Sequence, residues 1–308
     1  MTEFSIISRY FQSLTTQDIS VGIGDDCAVF SPPENQQLVS CIDTLVAGRH
    51  FLPDAPAHAI GWKSVAVNLS DLAAMGATPH SVLLALSLPT LNEDWLAEFS
   101  RGIADCCQQY GVQLIGGDTT QNPTLTISIT ALGWVAPHQA ILRSGAQVGD
   151  FIAVTGQIGS AAYALRYPDS ALQNTLDYPI PQVEFGLALR GYASSMLDVS
   201  DGLAQDLGHI LHASQVGARI QFEQIPMADE IKTLALDTQK ALVLAGGDDY
   251  QLCFTISAEN LNKFTQKFDF KPYIIGQIES GSVCHFFNQQ QAFTLKQSGY
   301  QHFATTSH

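Results

Sequence analysis

Short runs rich in branched and aromatic residues alternate along the chain with longer stretches of helical period. Residues 38–46 (LVSCIDTLV), 82–88 (VLLALSL), 125–135 (LTISITALGWV), 150–155 (DFIAVT) and 251–256 (QLCFTI) have the length and composition of strands. Residues 58–75 carry apolar side chains at Ile60, Val65, Leu69 and Leu72, while Ser64, Asn68 and Asp71 share one polar stripe; that spacing predicts a helix. Further helices are predicted around 92–109, 157–167, 182–193 and 201–215. The alternation has no regular repeat, and the 125–135 run is long enough for an antiparallel or mixed sheet. An α+β fold is therefore expected rather than a doubly wound parallel one.

At 308 residues the chain exceeds the size at which one core usually keeps growing, so two domains are expected. The Gly/Pro-bearing stretch 136–149 (APHQAILRSGAQVG) is the best boundary, dividing the chain into 1–140 and 141–308. The start, MTEFSIISRYF, has no basic segment leading into an apolar run, and no apolar stretch reaches membrane-spanning length, so a cytoplasmic location is expected. Six scattered cysteines without C-x-x-C spacing suggest neither a zinc site nor a disulfide framework. With 29 acidic against 14 basic residues, a net charge of -15 and no Lys/Arg cluster, nucleic acid and anionic membrane are excluded as partners.

The acidity matters through its placement. Aspartates stand beside glycine or serine in Gly22-Ile-Gly-Asp25-Asp26, Asp43-Thr44, Ser70-Asp71, Gly116-Gly117-Asp118, Asp198-Val-Ser200-Asp201-Gly202 and Gly246-Gly247-Asp248-Asp249. Taken singly, each is a turn or a helix cap as readily as a ligand. The default for Gly-Gly-Asp118, ending the run VQLIGG, is a turn, and Asp201 is a candidate cap for the helix that follows. Taken together they suit a hard cation, since Mg²⁺ is bound by carboxylates, water and substrate phosphates. Two carboxylates about 4 Å apart repel by roughly 4 kcal/mol at an effective dielectric near 20, so such a group could converge only around metal. No Gly-Lys dipeptide occurs, which excludes a Walker A loop, and no G-x-G-x-x-G or protein-kinase catalytic loop is present. Arg143 can clamp a phosphate or face solvent, and His50, Tyr110 and Tyr300 read equally as ordinary packed or surface residues.

The order GIGDDCAV, IDTLVAGRHF, AVNLSDLAAMGATP, LIGGDTT, RSG, DVSDGLAQDLGHI, GGDDYQLCF and GYQHFA covers nearly the whole chain. In this order the motifs resemble those of the bacterial thiamine-monophosphate kinases, part of the wider aminoimidazole ribonucleotide synthetase-like group. The resemblance implies an N-terminal α/β domain whose sheet joins its twin in a homodimer, a C-terminal α+β domain that completes the active site, and ATP bound between them. It implies direct in-line transfer of the ATP γ-phosphate to thiamine monophosphate with several Mg²⁺ ions. Asp26, Asp43, Asp71, Asp118, Asp198 and Asp201 match metal positions; Gly117, Asp118, Arg143, Ser200 and Tyr110 match ATP contacts; His50, Asp248 and Tyr300 match acceptor positions. Two departures stand out. Hydroxyl-bearing residues usually precede the position of Asp43, where this chain has Cys41 and Ile42, and the position of Asp248 is often Glu. Aminoimidazole ribonucleotide synthesis is disfavoured because Lys63 is the one lysine before the boundary, selenophosphate synthesis because no Cys with a neighbouring Lys precedes Gly22. A non-catalytic nucleotide-binding protein is disfavoured by retention of all six carboxylates.

Overall fold

In the computed structural model, which describes residues 3–14, 19–295 and 299–300, each strand and helix expected above forms, although several more appear between them. Contacts divide the chain into two units, one of residues up to Leu72 with Ala77–His138, the other of Ala73–Gly76 with Gln139 onward.

The first unit holds α1 (Glu3–Ile6), β1 (Gln37–Val46), α2 (Ala57–Ala74), β2 (Thr78–Leu88), α3 (Glu93–Tyr110), β3 (Gln113–Gln121) and β4 (Thr126–Val135). Its four strands run in the order β1-β4-β2-β3, antiparallel except for the parallel β2/β3 pair. Alternation buries Ile127, Ile129 and Ala131 of β4 completely, as a sheet covered on one face requires. The helix α3 opens at Asn92, whose side chain accepts from the Trp95 N–H at 3.1 Å, and closes at Gly111 in the left-handed conformation (φ 63°). The helices α2 and α3 touch through glycine. A side chain on Gly61 would strike the Phe99 carbonyl oxygen, and one on Gly102 that of His58.

Two members of the polar stripe of α2 do not face water: Ser64 and Asn68 are 1% and 0% exposed, while Asp71 is half-buried. Burial requires partners, and Ser64 Oγ donates to the Gly61 carbonyl at 2.9 Å, while Asn68 reaches across to β1. The segment Gly116-Gly117-Asp118, where a turn is the default reading, lies inside β3, with Asp118 opposite Ala85 of β2. Its glycines serve close strand approach, since a Cβ on Gly117 would strike the Leu84 carbonyl.

The second unit contains β5 (Phe151–Val154), α4 (Ser160–Arg166), α5 (Gln173–Asp177), α6 (Val183–Ala188), β6 (Ala193–Asp198), α7 (Leu203–Ser214), β7 (Gly217–Gln221), α8 (Asp229–Lys232) and α9 (Leu236–Ala245), followed by β8 (Leu252–Ile256), α10 (Ala258–Lys267), β9 (Tyr273–Glu279), β10 (Cys284–Asn288) and β11 (Gln291–Phe293). The seven strands run β11-β10-β7-β9-β5-β8-β6, with only β10/β7 parallel. Ile152 and Val154 of β5 pack with Leu207 and Ile210 of α7 and with Ile275 and Ile278 of β9 in one core. Mixed sheets with helices between their strands make the fold α+β.

Candidate functional site

Within the first unit a cavity of about 770 Å³ is lined by Gly22, Gly24, Asp26, Gly117, Asp118 and hydrophobic residues including Ile115 and Leu132. Asp26 and Asp118 are both exposed and both border this space. His50 and Tyr110 are not among its lining residues. His50 Nδ1 accepts from the Val46 N–H at 3.0 Å, which leaves the proton of the neutral ring on Nε2. Tyr110, at the end of α3, meets Trp62 edge to face with ring centres 6.5 Å apart.

Asp43 of β1 and Asp71 of α2 both lie close to Cys41. Asn68 Oδ1 accepts from the Asp43 N–H at 3.0 Å, and Cys41 Sγ lies 3.4 Å from the Asn68 carbonyl oxygen. Burial first, then the charges of Asp71 and Asp43, push the Cys41 thiol well above the usual range, so it is neutral. A neutral thiol is a poor ligand for a hard cation. Among the described residues no three His, Cys, Asp or Glu side chains enclose a metal. The donor set still fits Mg²⁺, which is usually held by one or two carboxylates with water and substrate phosphates supplying the rest.

In the second unit two loops are joined by their backbones. Val199 donates to the Gln251 carbonyl at 2.7 Å, Asp248 to that of Ser200 at 2.8 Å and Tyr250 to that of Val199 at 2.9 Å. Asp198, Ser200, Asp201 and Asp248 thereby share one scaffold, and glycine permits it, since any side chain on Gly247 would strike the Ser200 carbonyl. Asp248 has a positive φ of 66°, and its Oδ1 accepts from the Tyr250 hydroxyl at 2.8 Å. Tyr300 donates its N–H to the Asp201 carbonyl at 3.0 Å. Arg143 is exposed on a loop pinned from α7, where Ser214 Oγ accepts from the N–H groups of Gly145 and Ala146 at 3.1 Å each.

Two buried carboxylates that the motif reading passed over hold these loops. Asp206 Oδ2 accepts from the N–H groups of Ser200, Asp201 and Gly202 at 3.1, 3.0 and 3.0 Å. Asp206, rather than Asp201, therefore serves the start of α7. Burial, followed by the charges of Asp198 and Asp201, pushes Asp206 up to about 7 against the pull of those amides. Asp249 accepts from Gly159 N at 2.7 Å and Ala161 N at 3.4 Å at the start of α4, and burial pushes it up to about 7 as well. An acid in the first turn of a helix is a readable signal for Asp206. Asp249 offers none, because its helix lies 88 residues away in sequence.

Both halves match models of the AIR synthase related proteins, the N-terminal domain over residues 24–135 and the C-terminal domain over 147–286. The thiamine-monophosphate kinase of Escherichia coli (strain K12) is 43% identical over 323 residues, covering 98% of each chain. The crystal structure of thiamine-monophosphate kinase from Stenotrophomonas maltophilia K279a superimposes with a TM-score of 0.83 at 41% identity, over 94% of this chain and 96% of that one. AaThiL complexed with AMPPCP and TMP is similar at 28% identity and a TM-score of 0.77, over 98% and 97%. The chain belongs to the thiamine-monophosphate kinase family.

Proposed function

We infer that the protein transfers the terminal phosphate of ATP to thiamine monophosphate, giving ADP and thiamine diphosphate. The observation that carries this reading is the joined pair of loops, 198–202 and 246–250, which hold carboxylates suited to a metal-nucleotide beside Asp248 and Tyr300. AaThiL, similar over nearly its whole length, was crystallised with an ATP analogue and TMP.

The chemistry asks little of any general base. A phosphate monoester with a second pKa near 6 is largely a dianion at neutral pH, so its oxygen is already a nucleophile. That oxygen attacks the γ-phosphorus in line, the bond to the β-phosphate oxygen breaks, and ADP leaves with the electron pair. The task of the protein is alignment and charge neutralisation. Asp26, Asp43, Asp71, Asp118, Asp198 and Asp201 would hold several Mg²⁺ ions, which when bound screen the two anionic substrates. Gly117, Asp118, Arg143, Ser200 and Tyr110 would contact ATP, and His50, Asp248 and Tyr300 the acceptor.

The reading carries two further proposals. Because ATP is made and spent in the cytoplasm, the reaction belongs there; no described helix is long and apolar enough to cross a membrane. A homodimer is supported by β1, an edge strand whose Leu38 and Ile42 are 57% and 62% exposed on one face. A coupled ADP-release assay with thiamine monophosphate and a panel of other phosphorylated acceptors tests the reaction. Thiamine diphosphate should form in step with ADP, and turnover with another acceptor but not with thiamine monophosphate would overturn the reading.

A further inference from the structure

Residues 299–300 lie against the start of α7 through contacts that none of the motif readings uses. The Tyr300 N–H donates to the Asp201 carbonyl at 3.0 Å, and Gln205 Nε2 donates to the Tyr300 carbonyl at 3.0 Å. Both backbone groups of Tyr300 are thus held by one five-residue stretch of α7 and its approach, while the residue remains 38% exposed. The same Gln205 amide gives its other hydrogen to Asp201 Oδ2 at 3.2 Å. Both neighbours are acceptors, so the orientation of the amide is determined by them. Its Oε1 is buried without a partner among the described residues, facing Gly299, where an added Cβ would come within 2.7 Å of both the Asp201 carbonyl and the Gln205 Cβ. Glycine at 299 is what lets the chain approach this closely.

We propose that Gln205 is a positioning residue for the acceptor: it clasps the backbone of residue 300 to the Asp201 turn, so that the Tyr300 side chain is presented in a defined place. The inference rests on the assignment of Tyr300 to the acceptor side. It gives Gln205 and Gly299 a role in selecting the phosphorylated organic substrate that no carboxylate in the motifs supplies. One amide serving both Asp201 and Tyr300 also ties the acceptor segment to the loop that bears Ser200.

Gln205→Leu keeps the side-chain volume and removes both donors; Gly299→Ala leaves the amide in place and blocks the approach. Gln205→Leu loses the bond to the Tyr300 carbonyl and the one to the Asp201 carboxylate, and Gly299→Ala displaces the first, so the KM for thiamine monophosphate should rise about tenfold. For Gly299→Ala, which leaves every side chain assigned to ATP and metal in place, the KM for ATP should move less than about twofold. The thermal midpoint of either variant should stay with that of the parent protein. A rise of both KM values together with a lowered midpoint, or an unchanged acceptor KM in both variants, would overturn the proposal and leave the clasp a purely structural contact. Tyr300→Ala separates the two levels: if it raises the acceptor KM while Gln205→Leu and Gly299→Ala do not, the positioning role alone fails. If Tyr300→Ala leaves the acceptor KM unchanged, the acceptor assignment fails, and the clasp with it.

Discussion

Asp248 occupies a backbone conformation that residues other than glycine seldom adopt, with φ 66°, and Tyr250 two positions on has φ 49°. Such conformations persist where the surroundings determine them, and here the amides of both residues are tied to the 199–200 backbone. If Asp248 pairs the acceptor, Asp248→Ala should raise the KM for thiamine monophosphate by about tenfold or more, the loss of one charge-assisted hydrogen bond of roughly 1.5–3 kcal/mol. The KM for ATP should be nearly unchanged, and steady-state kinetics with each substrate varied in turn would check it. If Asp71 and Asp118 hold metal, Asp71→Asn and Asp118→Asn should each remove most turnover while circular dichroism and the melting temperature stay near those of the parent. Excess chelator should have the same effect. Its neighbour Asp249 bears on stability instead. Its folded-state value of about 7 lies above the ordinary carboxyl value of 3.8, so the folded protein binds a proton that the unfolded chain releases. Stability should fall as pH rises from about 4 through 7 and level off above, by at most about 1.4 kcal/mol per pH unit from this group. Urea midpoints across that window should slope less in Asp249→Asn than in the parent.

Among the elements, α2 and α3 are set by their glycines. Alanine is the better helix former by about 1 kcal/mol, yet at position 102 its methyl would run into the His58 carbonyl. Overpacking of this kind costs about 1–3 kcal/mol, and here the obstacle is backbone, which cannot turn aside. Gly102→Ala should therefore be destabilised by about 1–2 kcal/mol in denaturant titration, against its helix propensity. Strands that read well in the sequence are those with alternating branched residues, as in β1, β2 and β4, and the helices that read well are the long ones. The strand β3 did not, because an edge strand whose second half is largely exposed can carry Gly-Gly-Asp-Thr-Thr, the composition of a turn. Nor did β6, β7 and β9, whose partners lie far off in sequence, or α9, where residues 236–245 are short of a clean stripe. The candidate site was legible in its carboxylates, since motifs repeat residue types beside glycine and serine. Of its supports only Asp206 left a signal, as an acid in the first turn of a helix; Asp249, Gln205 and Ser214 act on backbone amides and carbonyls, and a backbone group leaves no mark in the sequence.

At the level of the whole molecule, the edge strand β1 of the first unit is the feature most exposed to consequence. Its outward face carries Leu38, Ser40, Ile42 and Thr44, all exposed. Apolar side chains on a strand with one open edge invite a second copy, and a lysine there is a common means of keeping edges apart. If β1 is the contact of a homodimer, Ile42→Lys should lower the proportion of dimer in sedimentation velocity without lowering the melting temperature of the monomer. In the second unit β5 is an inner strand of the ladder, with Phe151 opposite Ile256 on one side and Gln277 on the other. Both neighbours leave the ribosome about a hundred residues after it, which at 5–20 residues per second is a wait of roughly 5–20 s. For that interval the nascent chain displays the apolar strand Phe151–Val154 with two open edges, and a message cut short before Leu252 would leave it so permanently.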